Sequence, residues 1–303
     1  RDDMLCTGKR HPYSSDFKIG VTSDGKILAF EATFYQNSGA ATDLSPAIIP
    51  RTLFHGAGAY HIPNVKVTGH MCRTNLVPFT AFRGFGGPQG FFVIESAIEK
   101  AAEALGMDAS EIRLKNLLKE GDIFHYGMPV VDARAEATVA RCLEKARWKE
   151  LRQEITVFNA ANTVHKRGAA FFPLCFGISF TKLMMNQGGA LVHVYNDGSV
   201  GVSTGAIEMG QGVARKMAII VADTLGVPLE AIRVESTRTT TVANTMPTAA
   251  STGADINGMA ARVAALEIRE RLDGFAAARL GVDTASWTDL GLSFAGVVRA
   301  AHE

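Results

Sequence analysis

Arg83 stands between two phenylalanines, Phe82 and Phe85, inside a stretch at residues 80–89 that reads Thr-Ala-Phe-Arg-Gly-Phe-Gly-Gly-Pro-Gln. The cation offers a fixed charge, and Gly84, Gly86 and Gly87 clear side chains from around it. Pro88 then opens an apolar-periodic segment at 90–105, with Val93, Ala97, Ile98, Ala101 and Leu105 at helical spacing. A glycine loop that feeds a helix N-terminus presents unpaired N–H groups and a positive dipole end, which favour an anion or an oxo ligand. Taken alone, such a turn is more often plain loop chemistry. Two further glycine-bearing polar stretches, 205–212 and 245–253, give it company, and all three suit a close approach of main chain to a ligand.

These loops need elements to position them. Residues 16–39 read as a hairpin, with Phe17, Ile19 and Val21 alternating, Asp24-Gly25 as the turn and 27–35 returning. Residues 43–55 carry Leu44, Pro46, Pro50 and Arg51. The pattern favours a surface position for Arg51, whose alternative use is a permanently charged donor to a polar substrate. A strand is expected over 60–72 and a helix over 109–118 with Asp108 as its cap. One charged helix is expected over 133–151, and 156–167 has no clear periodicity. A domain boundary is placed near residue 165, giving domains 1–165 and 166–303. Beyond it lie a hairpin at 190–203, a helix at 213–225, a buried strand at 232–235, a threonine-rich stretch at 237–248 and a long helix at 253–275. The tail from 276 is the least legible part. There is no regular βαβ rhythm and no Gly-x-Gly-x-x-Gly after a strand. The fold class expected is α+β, with two layered mixed domains, both incomplete.

Composition narrows the classes. The 303 residues carry 47% hydrophobic and 20% charged side chains and a net charge of +1, which describes a globular chain with no electrostatic reason to bind nucleic acid or an acidic membrane. Cys6, Cys72, Cys142 and Cys175 are scattered, without Cys-x-x-Cys or zinc spacing, as for thiols in a reducing, cytoplasmic compartment. No apolar run is long enough to span a bilayer. The chain starts at Arg1 in mid-pattern, so a piece of a longer polypeptide is expected.

Four strings then carry a family likeness. The stretch at 80–89, Phe-Gly-Ile-Ser-Phe-Thr at 176–181, Glu-Met-Gly-Gln-Gly at 208–212 and Pro-Thr-Ala-Ala-Ser at 247–251 resemble, in family order, the molybdenum-cofactor portion of the xanthine dehydrogenases and related molybdenum hydroxylases. The likeness runs from the first residues to at least 275. It implies molybdopterin with molybdenum, and hydroxylation of an electron-poor carbon with water-derived oxygen. Phe85 and Phe180 resemble the two aromatics that hold the substrate ring, Arg51 the arginine that hydrogen-bonds a purine carbonyl, and Thr181 a further substrate contact. His55, Leu44 and Ala249 complete the substrate-facing set. Arg83 and Ala250 match residues whose main chain lies beside the metal. Met209, Gly210, Gln211 and Lys216, with Ala250 and Ser251, fall where the family binds the pterin and its phosphate.

Arg51 with His55 resembles the purine-oxidising branch, which implies oxidation of hypoxanthine and xanthine to urate. An aldehyde- or other N-heterocycle-oxidising relative is the alternative, and a catalytically silent scaffold is another. The glycine-rich stretch with a substrate-binding Glu and the Gly-Glu stretch with the general base are expected upstream and beyond Glu303, so this piece is expected not to turn over alone. FAD and two 2Fe-2S clusters are expected on other domains or subunits, with the complete enzyme a dimer.

Overall fold

The computed structural model describes residues 2–243 and 245–303. Residue 1, and residue 244 within the threonine-rich stretch, lie outside the described residues. The chain divides into two compact units, Arg1–Phe176 and Gly177–Glu303.

The first unit opens with helix α1 (Asp2–Cys6), then strands β1 (Tyr13–Val21) and β2 (Ile27–Gly39). Asp24-Gly25 makes the turn between the two strands, with Gly25 at φ +83° where a side chain would be strained, and the strands pair antiparallel. Helix α2 (Ser45–Phe54) crosses over to β3 (Asn64–Arg73), which pairs parallel with β2, so the sheet order is β1-β2-β3. Helix α3 (Gly87–Leu105) lays Val93, Ile94, Ala97, Ile98 and Ala101 against Ile27, Phe30 and Phe34 of β2 to form the core. Pro88 in its first turn and left-handed glycines at both ends (Gly86, Gly106) delimit α3 as its sequence implies. Helix α4 (Ala109–Lys115) follows, and the Asp108 side chain accepts from the Ser110 N–H as expected of its cap.

The single helix expected over 133–151 is two. Helix α5 (Ala135–Lys145) ends before Arg147, which takes a left-handed φ of +48°, and α6 (Trp148–Ala161) starts there. Contacts remote in sequence hold α6 in its new direction: Arg152 pairs with Asp108, and Trp148 meets Phe171 edge-on at 5.5 Å. Helix α6 also runs through part of the region read as aperiodic. It buries none of its residues, so there was no apolar stripe to see.

The second unit repeats the plan of the first. Strands β4 (Ala190–Val194) and β5 (Val200–Thr204) form an antiparallel hairpin, helix α7 (Val213–Leu225) crosses over, and β6 (Ile232–Val234) pairs parallel with β5. Helix α8 (Gly258–Leu280) then packs on α7 and β4, as α3 packs on α2 and β1. Strand β6 is half-buried rather than buried, because it is the edge of its sheet. A π-turn at Gly253–Asn257 precedes α8, which outruns the expected 253–275. The poorly legible tail is ordered: Trp287 is buried and donates from Nε1 to the Leu225 carbonyl at 3.1 Å, and Ser293 caps helix α9 (Phe294–His302). Both units are α+β. Among the described residues no helix is long and apolar enough to cross a membrane.

Candidate functional site

Two parallel strands in a sheet send their carboxyl ends to the same edge, and the loops that leave there are where α/β sheets bind ligands. In the first unit those loops are 40–44 and 74–86; in the second they are 205–212 and 235–252. The glycine stretches singled out by sequence therefore sit on loops of this kind in each unit.

In the first unit the 80–89 stretch turns through three consecutive left-handed residues, Gly84 (φ +96°), Phe85 (φ +49°) and Gly86 (φ +96°). A phenylalanine in that region costs on the order of 1–3 kcal/mol and persists only where neighbours over-determine it. They do: Thr52 Oγ1 donates to the Gly86 carbonyl at 3.0 Å, and Arg10 Nη2 donates to the Arg83 carbonyl at 2.7 Å. The Tyr13 hydroxyl, 2.9 Å from Thr52 Oγ1 and from Gln36 Oε1, ties this anchor to the sheet. Phe85 is half-buried and Arg83 is exposed.

Arg51 corrects its surface expectation. It lies in the last turn of α2, only 7% exposed, with its guanidinium carbon 5.6 Å from the centre of the Phe176 ring. Helix α2 has its apolar face shared between β3 and α3, and Arg51 falls on the side that turns inward, which residue type alone did not disclose. His55 caps the same helix end. Its Nδ1 is 2.8 Å from the Arg51 carbonyl, which assigns the proton to Nδ1, and its ring packs on Phe176 (4.7 Å) and edge-on to Phe91 (5.4 Å). Leu44, two turns earlier, sits at the exposed N-terminal end of α2.

Burial, opposed by the hydrogen bond to Arg51 and aided by the charges of Arg51 and His125, pushes the His55 pKa from 6.5 down to about 4. The unfolded chain thus takes up a proton that the folded one refuses between pH 6.5 and 4. The stability from keeping His55 neutral is complete above 6.5 and is lost as pH falls toward 4. It amounts to roughly 3 kcal/mol. Urea unfolding across that range should show the loss, and a His55→Gln variant should flatten it. An unchanged slope in the variant would place the acid sensitivity elsewhere.

In the second unit three loops meet. The Ser179 N–H donates to the Ala250 carbonyl at 2.8 Å, and the Ile207 N–H donates to Thr248 Oγ1 at 2.8 Å, so 177–181, 205–212 and 245–253 lie together. Ser179 (φ +72°), Ala250 (φ +55°) and Ser251 (φ +60°) are left-handed without being glycine, a concentration of backbone strain that includes Ala250 and Ser251, two of the residues expected at the cofactor. Phe180 is half-buried and its main chain is clamped by Asn186, which accepts from its N–H at 2.8 Å and donates to its carbonyl at 3.0 Å. Thr181, Ala249 and Ser251 are exposed. Sequence reasoning misses Asn186 and Thr248, since nothing in their neighbours' types marks a side chain that serves another segment's main chain. Met209 is 67% exposed, and Gln211 folds back, accepting from the Met209 N–H and donating to the Ile207 carbonyl at 2.8 Å. Lys216 lies exposed in the first turn of α7.

These loops fit the expected cofactor. Gly210 and Gly212 are left-handed and meet no heavy atom within 4 Å where a Cβ would stand, leaving an open approach to main chain at the start of α7. Small residues at 249–251 keep bulky side chains away from the main chain of their loop.

Comparison with known proteins gives the family of the chain. Two family models match, each described as a molybdopterin cofactor-binding domain, one at residues 1–117 and the other at 141–302. The chain is 44% identical over 89% of its length to xanthine dehydrogenase of Emericella nidulans, and 43% identical over 90% to xanthine dehydrogenase/oxidase of Mus musculus. It spans about a fifth of the length of those relatives. Quinoline 2-oxidoreductase from Pseudomonas putida shares the fold with a TM-score of 0.80 at 23% identity, covering 99% of this chain and 41% of that one. Aldehyde oxidoreductase from Desulfovibrio desulfuricans does so with a TM-score of 0.70 at 24% identity, covering 88% of this chain and 29% of that one. The chain belongs to the molybdopterin cofactor-binding domain family and has xanthine dehydrogenases among its relatives.

Proposed function

We propose that this chain is part of a molybdenum hydroxylase that oxidises purines, hypoxanthine and xanthine, to urate. The observation that supports it most is Arg51: a permanently charged, pre-oriented donor, buried in the last turn of α2 and braced by Phe176 and His55. Such a donor accelerates the reaction where negative charge grows on a purine carbonyl in the transition state, and low local polarity strengthens it. His55, neutral at physiological pH, holds the helix end that carries Arg51. In this reading Phe85 and Phe180 are the aromatics that meet the flat ring by offset or edge-on contact, and Thr181, Ala249 and Leu44 are the further substrate-contact positions. Met209, Gly210, Gln211, Lys216, Ala250 and Ser251 bind the pterin and its phosphate, and the main chain of Arg83 and Ala250 borders the metal. When bound, molybdopterin supplies a redox-active molybdenum that delivers water-derived oxygen and takes up the substrate's electrons.

In this reading residues 1–165 and 166–303 are parts of two successive cofactor-binding domains. The general base stands elsewhere in a complete, dimeric cytoplasmic enzyme whose iron–sulfur and flavin modules pass the electrons on. Steady-state assays of the complete enzyme test it: kcat/KM for xanthine should exceed that for an aromatic aldehyde by about 10²-fold or more. A preference for the aldehyde would move the enzyme to the other branch, and a protein purified without molybdenum would be a scaffold.

A further inference from the structure

We propose that Glu208 is a positioning residue that shapes the 205–212 loop for the cofactor before the cofactor binds, an inference that rests on the assignment of 209–211 to the pterin. Glu208 is exposed, yet its carboxylate accepts three main-chain hydrogen bonds from its own loop and the helix that follows. Gly210 N–H (2.8 Å) and Gly212 N–H (2.9 Å) reach Oε1, and Ala214 N–H (3.0 Å) reaches Oε2. Hydrogen bonds to a charged acceptor are about twice as strong as neutral ones.

Packing does not hold this turn. Met209 points outward, and Gly210 and Gly212 have no neighbour within 4 Å of a would-be Cβ. A segment with so few apolar contacts is ordered by its hydrogen bonds or is not ordered. Glu208 gathers the turn from within, the Gln211 amide closes it between Ile207 and Met209, and Thr248 Oγ1 moors it to the neighbouring loop through the Ile207 N–H. The result is a preformed face of Met209, Gly210 and Gln211 that a cofactor meets without first having to order it, which lowers the entropic cost of binding. An alanine at 208 cannot accept these bonds, and a glutamine has one acceptor oxygen and sets an NH₂ against N–H donors.

The test uses the complete enzyme and follows release of molybdopterin by fluorescence of the freed, oxidised pterin, together with bound molybdenum and the Tm of the apoprotein. Glu208→Ala and Glu208→Gln should each release the cofactor about tenfold faster. Thr248→Val should do the same, and Thr248→Ser should restore retention. Ser293→Ala removes the cap of α9, where Ser293 Oγ accepts from the Gly296 N–H at 3.2 Å, and serves as the control for lost helix stability alone. It should lower Tm without altering release. Release unchanged in Glu208→Gln, or accelerated as much by Ser293→Ala, overturns the inference. Should Glu208→Ala fail to fold, the Gln variant and the Thr248 pair decide it. A wild-type enzyme that holds no molybdopterin removes the functional assignment itself, and this inference with it.

Discussion

Arg51→Met in the complete enzyme is expected to lower kcat/KM for xanthine by about 10²–10³-fold, the usual loss when one preorganised donor to developing negative charge is removed. The substitution keeps an unbranched, flexible side chain against Phe176, so the packing at the end of α2 survives while the charge is gone. Arg51→Lys should fall between the two, because an ammonium retains charge but not the planar fork that meets a carbonyl and a ring edge together. Turnover of an aromatic aldehyde should survive in both variants, since an aldehyde develops no charge at the position a purine carbonyl occupies. Molybdenum content separates a catalytic loss from a loss of the cofactor. Full purine activity in Arg51→Met would sink the purine assignment.

The second large effect concerns the frame. Arg113 of α4 is nearly buried and reaches back to α3, with Nε 2.7 Å from Glu95 and Nη2 2.6 Å from Glu99, while the Tyr60 hydroxyl donates to Glu95 at 2.6 Å. Burial raises the Glu95 carboxyl above its usual range even with Tyr60 and Arg113 beside it. Removing Arg113 strands that carboxylate, and Arg113→Met should cost about 3–5 kcal/mol in urea unfolding at neutral pH. The double variant Arg113→Met, Glu95→Gln should recover most of the loss, because an amide needs no counter-charge. A loss below about 1 kcal/mol in the single variant would show that water reaches Glu95 and screens it.

Much of the fold could be read from local signals. Asp24-Gly25 marks the turn of the first hairpin, the second hairpin falls within the expected 190–203, give or take a residue, Asp108 caps α4, and 213–225 is helix α7 residue for residue. These succeed because turn chemistry and apolar periodicity act over a few residues. The break at Arg147 was not legible, since it is held by Asp108 and Phe171 from far along the chain. Nor was the repeated order of hairpin, crossover helix, parallel strand and long helix. Repeating a topology requires only that apolar faces fall in the same places, not that residues recur.

For the site, residue types and family resemblance named Arg51, Phe85, Phe180 and the 209–211 and 249–251 loops. The small residues at 249–251 already implied close approach of main chain. What folding added was environment: a buried Arg51, a neutral His55, left-handed backbone at Phe85, Ala250 and Ser251, and the Glu208 carboxylate spanning the start of α7. Sequence determines which groups are present and how each short segment bends. Burial and charge state depend on residues far along the chain, as Arg51 and His55 depend on Phe176, and only the packed chain brings those together.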